Sequence, residues 1–132
     1  MGQQQLLLIV LGVIIVGIAV VVGINVFTAS ASQANRDAVV ADLTNLAAMA
    51  QQYYRKPVAL GGGGNDFTGW TVPATLVRTA NMGADVTATI VGGAAGTVTL
   101  VGVGTETGND NTNGVKATMT VTATGVTTVI NN

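Results

Sequence analysis

The side chains that could carry chemistry are few, and their types exclude most catalytic devices. The chain has 132 residues, with six carboxylates, five basic side chains, and no histidine or cysteine. The missing histidine removes the commonest general base and metal ligand. The missing cysteine excludes a disulfide, a thiolate metal site and a thiol nucleophile. No two carboxylates are spaced to act as a pair on one helix face. We therefore predict a protein that is not an enzyme, with no catalytic residue, cofactor or metal.

Three segments resemble ligand-binding loops in part. The glycine run at 61–64 lacks the lysine that a P-loop needs, and GVGTETG at 102–108 has Thr107 where the dinucleotide motif needs glycine. NDNTNG at 109–114 has the spacing of a calcium loop, but it starts with asparagine and has Thr120 at the glutamate position. We interpret all three as loops or turns, the last as a hairpin turn.

The first 35 residues carry no charge, and Leu6 to Ile24 form an apolar run interrupted only by glycines. As a helix this run is about 28 Å long, close to the thickness of a bilayer's hydrocarbon core. Three interpretations compete: a secretory signal cleaved at Ala31, a single-span membrane anchor, and the core of a filament. A helix that is apolar on every side must be buried, in lipid or among copies of itself.

An amphipathic pattern follows the apolar run. The apolar positions recur every three or four residues, and the polar positions fall between them. The predicted buried stripe is Val39, Val40, Leu43, Leu46, Ala47, Ala50, Tyr53 and Tyr54, and the predicted polar face is Arg36, Asp37, Asp42, Asn45, Gln51 and Gln52. Because the first proline is Pro57, we predict one helix from about Gln3 to Lys56, apolar in its first half and amphipathic in its second.

The remaining chain predicts a small sheet. Alternating Thr and Val residues indicate four strands, at 85–91, 97–103, 115–123 and 126–130, joined by hairpin-length connections into an antiparallel meander. Phe67 and Trp70, in the Gly-rich region before the strands, are expected to pack on the helix near Tyr53 and Tyr54. The segment from Pro73 to Gly83 fits either a short helix or a turn.

The layout resembles a type IV pilin or pilin-like protein. The resemblance lies in GQQQLLLIVLGVIIVGIAVVVGINVF, in the continuation SQANRDAVVADLTNLAAMAQQYYRKP, and in the β-rich remainder. It implies an α+β fold with a long N-terminal helix packed against a small antiparallel sheet. It also implies four parts: the apolar helix at 1–35, the amphipathic half at 36–56, a Gly-rich loop region at 57–84 and a β-meander at 85–132.

The same resemblance implies a structural subunit of an extracellular, type IV pilus-like filament. The subunit would wait in the cytoplasmic membrane and then polymerise with copies of itself. Its partners would be the assembly machinery and a prepilin peptidase that cuts between Gly2 and Gln3, and its exposed loops would set adhesion. Alternatives are a pseudopilin of a secretion system and a single-span membrane-anchored binding module. With only 8% charged residues, the chain is not expected to bind nucleic acid.

The filament-core contacts are expected on the apolar half of the helix. Most bacterial pilins carry a glutamate near the start of this half, and the matching position is Leu7 counted from Gln3 or Gln5 counted from Met1. Neutral amides could instead form an interhelical hydrogen-bond cluster, at a lower desolvation cost than a buried charge. The expected contacts are Gln3, Gln4, Gln5, Leu7, Leu11, Ile14, Ile18 and Asn25.

Overall fold

The computed structural model describes residues 2–132. Met1, the first residue of the predicted 1–35 segment, lies outside the described residues. The described chain forms two compact units, residues 2–31 and Ser32–Asn132. The first unit is helical throughout, and the second contains the sheet and the hydrophobic core.

One helix, α1, runs from Gly2 to Arg55 over 54 residues, which confirms the predicted long helix. It contains no proline and ends just before Pro57, whose ring cannot continue a helix. The glycine run then folds back over the helix end. Gly63 N donates to Tyr53 O at 2.8 Å, and Gly64 N donates to Lys56 O at 2.9 Å. These glycines satisfy carbonyls that a helix C-terminus leaves unpaired.

Four strands form one antiparallel sheet in the order β1-β2-β3-β4, which confirms the predicted meander. Their bounds are Thr87–Val91 for β1, Thr97–Thr107 for β2, Gly114–Val121 for β3 and Val126–Ile130 for β4. The last strand matches its predicted bounds, while β1 begins two residues later than predicted and β3 is shifted towards the N-terminus at both ends.

Strand β2 extends four residues beyond the predicted end at Val103. Its pairing with β3 shifts register between Val103 and Thr107, so the strand continues through an irregularity. The interpretation of residues 102–108 as a loop or turn was therefore wrong, because residues 102–107 belong to β2. Gly104 is buried and forms a bridge with Met82. The glycine therefore marks a close approach inside a strand instead of a strand end.

The core lies between the second half of α1 and one face of the sheet. The predicted helix stripe is confirmed, because five of its residues are buried: Val39, Leu43, Leu46, Ala47 and Ala50. They pack with inward residues of the two central strands, which are Val98, Leu100, Ala117, Met119 and Val121. Phe67 and Trp70 are also buried in this core, as predicted, and the Phe67 ring lies 4.7 Å from that of Tyr54.

The segment from the helix end to β1 contains one 3-10 turn at Val58–Leu60 and otherwise turns and irregular backbone. Residues 73–83, which fit either a helix or a turn, form turns. The segment is held by Val86 N, which donates to Val77 O at 2.7 Å, and by the bridge at Met82. It contributes four buried side chains to the core: Phe67, Trp70, Met82 and Val86.

Candidate assembly surface

The apolar half of α1 is exposed from Gly2 to Ser30, around its whole circumference. Seventeen large apolar side chains between Leu6 and Phe27 are 53–75% exposed. An 18-residue window of this helix has a mean hydropathy of 3.3, so the helix is long and apolar enough to cross a membrane. This half of α1 is therefore a surface for membrane insertion or self-association.

The predicted filament-core contacts all lie on this exposed surface. Leu7, Leu11, Ile14 and Ile18 follow helical spacing and share one side of the helix. Their side chains are 53–70% exposed. The structure places these residues where a neighbouring copy could reach them, and their role as contacts stays a prediction.

The polar residues of this half lie at its beginning and near its end. The amides of Gln3, Gln4 and Gln5 fall in the first turns of α1 and are exposed. Among residues 2–132, no hydrogen bond joins these amides or that of Asn25 to another group. Since buried amides need partners, any assembly that covers them must supply hydrogen bonds. Gly2 and Gln3 are both helical, and cleavage between them remains a prediction.

Sequence reasoning missed the polar contacts that hold residues 32–35 of α1, just before its amphipathic half, to β2 and to the loop before β1. Asn35 Nδ2 donates to Asn81 O at 2.9 Å, and Asn35 Oδ1 accepts from Glu106 N at 3.2 Å. Ser32 Oγ donates to Thr107 O at 2.6 Å. The sequence offered one signal for these contacts. Asn35 lies one helical turn before Val39, the first residue of the apolar stripe, and it faces Gly104 on β2.

The predicted polar face of α1 is only partly exposed. Asp42 Oδ2 accepts from Thr79 Oγ1 at 2.5 Å and from Asn81 Nδ2 at 3.3 Å. Arg36 Nη2 donates to Asn109 Oδ1 at 3.1 Å, at the opposite side of the helix stripe. These side chains tie the helix to the flanking loops, so Arg36 and Asp42 on the predicted polar face contact protein as well as solvent.

Two glycines on β2 let the helix approach the sheet closely. A Cβ added at Gly102 would lie 2.9 Å from Val39 Cγ1 and 3.3 Å from both methyl groups of Leu43. A Cβ added at Gly104 would overlap Asn35 Oδ1. The small residues therefore set the distance between α1 and the sheet.

Asp66 ties the Gly-rich loop to the β1–β2 turn. Its Oδ1 accepts from Thr68 N at 2.9 Å, Thr68 Oγ1 at 2.8 Å and Gly93 N at 2.8 Å. These hydrogen bonds hold the pKa of Asp66 below its usual value, and the bond from the Thr68 backbone has the largest effect. Asp66 is therefore a structural anion that stabilises the end of the domain near the helix C-terminus.

The loop with calcium-like spacing is the β2–β3 turn, as predicted. The Asp110 carboxylate accepts from Asn113 Nδ2 at 2.6 Å and from the backbone N–H groups of Asn113 and Thr112 at 2.9 Å each. These hydrogen bonds lower the pKa of Asp110, and the bond from the Asn113 side chain has the largest effect. Asn111 takes a φ of 54°, which asparagine tolerates in turns. The carboxylate thus organises the turn internally.

Within residues 2–132, no cluster of three or more His, Cys, Asp or Glu side chains could hold a metal ion. Comparison with protein-family models, curated proteins and solved structures found no match. The architecture itself is pilin-like, because a long helix with an apolar N-terminal half packs its second half on a four-stranded antiparallel sheet.

Proposed function

We propose that this protein is the structural subunit of a type IV pilus-like extracellular filament. The observation that carries the proposal is the exposed apolar half of α1, continuous with the half that packs on the sheet. The subunit first sits in the cytoplasmic membrane through residues 6–27. It then polymerises, and the apolar halves of many copies form the core of the filament.

The energetics of the apolar half support this proposal. Burying one large apolar side chain stabilises by about 1.5–3 kcal/mol. Leaving seventeen of them in water therefore costs on the order of 30 kcal/mol, more than the total stability of a small domain, about 5–15 kcal/mol. Lipid or other copies of the same helix must cover this surface at every stage.

Assembly from the membrane needs an external energy source. Lipid covers an apolar helix about as well as protein does, so extraction gains little from hydrophobic burial. Helix–helix packing and hydrogen bonds among Gln3, Gln4 and Gln5 would hold the core together. We propose that partner machinery, driven by ATP hydrolysis, moves the subunit from the membrane, and that a prepilin peptidase processes the Gly2–Gln3 bond.

Electron microscopy of surface material tests the proposal. Cells that express the chain are sheared, and the released material is imaged and analysed by intact mass. The proposal predicts helical filaments made of this chain, with a mass that reports whether the Gly2–Gln3 bond is cut. A chain that stays in the membrane fraction as a monomer would instead support a single-span anchored binding module.

A further inference from the structure

Strand β4 contributes nothing to the hydrophobic core of its own domain. All five of its residues are exposed, and Val126, Val129 and Ile130 are 43%, 53% and 51% exposed. The facing residues of β3, in contrast, are buried on the helix side. An apolar strand that buries no side chain gains little by folding onto the sheet unless another surface covers it.

The outer edge of β4 also lacks the features that usually keep strand edges apart. It carries no charged residue and no proline, and its pairing with β3 shows no register shift. Natural edge strands are commonly protected by charge, proline, bulges or a covering segment. Among residues 2–132, no backbone hydrogen bond reaches this edge from another element. The edge is therefore open to an added strand.

The sequence of β4 is complementary to itself in one antiparallel register. If two copies pair about a two-fold axis through Thr128, Val126 faces the Ile130 of the other copy, and Thr127 faces Val129. Apolar residues then meet on the helix side of the joined sheet, and no like charges are opposed. The same patch serves both copies, as in an isologous contact.

The area of one β4–β4 contact is too small to hold two isolated subunits together. A five-residue edge is about 17 Å long and a sheet is about 10 Å thick, so pairing covers about 170 Å² per copy. A stable two-body interface needs about 800 Å² per partner. One β4 pair cannot hold two subunits together, whereas many pairs along two polymers can act together through avidity.

We propose that β4 joins neighbouring filaments of this chain, strand to strand, into bundles whose paired filaments run in opposite directions. The opposite direction follows from the two-fold axis, which reverses the helical segment 32–55 of one copy relative to the other. This inference rests on the proposed function, because only a polymer supplies enough pairs.

Charge substitutions at the two-fold position test the inference. Thr128 is exposed, and in the proposed register it faces its own copy across the axis. Filaments with Thr128→Lys alone, or with Thr128→Glu alone, place like charges opposite one another at every contact. The fraction of filaments in side-by-side pairs should fall about tenfold or more for each variant. A mixture of the two kinds of filament should bundle again, because lysine then faces glutamate. Thr89→Lys, on exposed edge strand β1, is the matched control and should bundle as the unchanged protein does.

The outcomes separate this inference from the proposed function. Unbundled filaments of the unchanged protein, bundles that survive Thr128→Lys, or a mixture that fails to bundle would each overturn the β4 contact while leaving the filament intact. If Thr89→Lys filaments failed to bundle, or if paired filaments ran in the same direction, the β4-to-β4 contact would also be overturned, in favour of a contact between β4 and β1. Absence of any filament would contradict the proposed function, and the inference with it.

Discussion

Gly102 shows how a single missing side chain positions the helix on the sheet. Its nearest neighbours across the interface are Val39 and Leu43, both fully buried. A methyl group added here enters a filled space, and overpacking of this kind costs about 1–3 kcal/mol. Gly102 is therefore more sensitive to substitution than its place on an alternating strand suggests.

We expect Gly102→Ala to destabilise the domain by about 1–3 kcal/mol, which lowers the Tm by roughly 5 °C or more. Thermal unfolding of the full chain in detergent, followed by circular dichroism, measures the change. The matched control is Gly125→Ala, where an added Cβ meets nothing within 4 Å. Equal Tm values for the two variants would show that the helix does not contact β2 as closely as described.

Asp66 gives the domain a pH dependence with a definite sign. Because folding lowers the pKa of Asp66, the unfolded chain takes up a proton before the folded chain as the pH falls. This contribution to stability is fully present above the unfolded pKa, about 3.9. It is lost as the pH falls through the lower, folded pKa.

We expect Asp66→Asn to lower the Tm at neutral pH and to make the Tm less dependent on pH below about 4. Asp110, whose pKa is also lowered, leaves part of the dependence in place. Asp85→Asn is the control, since Asp85 is exposed and reaches Arg78 only at 4.0 Å. An Asp66→Asn variant whose Tm follows pH as steeply as the unchanged protein would rule out this role.

At the scale of elements, the two halves of the single helix α1 are stabilised by different surroundings. From Ser32 onward the helix is stabilised by the sheet and by the loop before β1, through the buried stripe and the hydrogen bonds of Asn35 and Asp42. Residues 2–30 of the helix are all exposed within the described part of the chain, so lipid or other copies must cover them. The amides of Gln3, Gln4 and Gln5 are the groups that could fix the register between copies.

We expect Gln4→Ala and Gln5→Ala each to lower the yield of sheared filaments at least threefold. A buried hydrogen bond contributes about 0.5–1.5 kcal/mol, and removing one partner leaves the other amide unsatisfied. Quantitative blotting of sheared material against total chain measures the yield. Gln52→Ala, at an exposed position of the amphipathic half, is the control. Unchanged filament yield for both variants would show that these amides do not stabilise the filament core.

The regular elements could be predicted from the sequence because each has a strong local pattern. The absence of proline before Pro57 and the three-to-four spacing define α1, and the alternation in VKATMTVTA defines β3. The close approach at Gly102 and Gly104 could not be predicted, because a glycine within alternating residues reads equally well as a turn. The bonds of Asp42 to Thr79 and Asn81 depend on tertiary contacts across 37 and 39 residues, which no local pattern contains.

At the scale of the molecule, the proposed function requires the apolar half of α1 to be stable first in lipid and then in a filament core. A lysine within the apolar half is tolerable in a membrane, where it costs about 2.5–3.5 kcal/mol at the helix centre. In a filament core it repeats in every subunit as an uncompensated buried charge, which costs several kcal/mol each time. The two environments therefore respond differently to the same substitution.

We expect Ile14→Lys to leave the chain in the membrane fraction but to abolish filaments. Ala41→Lys, at an exposed position of the amphipathic half, should leave both properties unchanged. Fractionation followed by electron microscopy measures the two properties separately. Filaments of Ile14→Lys at normal yield would show that Ile14 does not face the core.

The most direct test of the central claim is cryo-electron microscopy of filaments sheared from cells that express this chain. We expect a helical polymer whose central density fits residues 3–30 as packed α-helices, with the sheet domain outside. Filaments with another protein at the core, or the chain recovered only as membrane monomers, would contradict it.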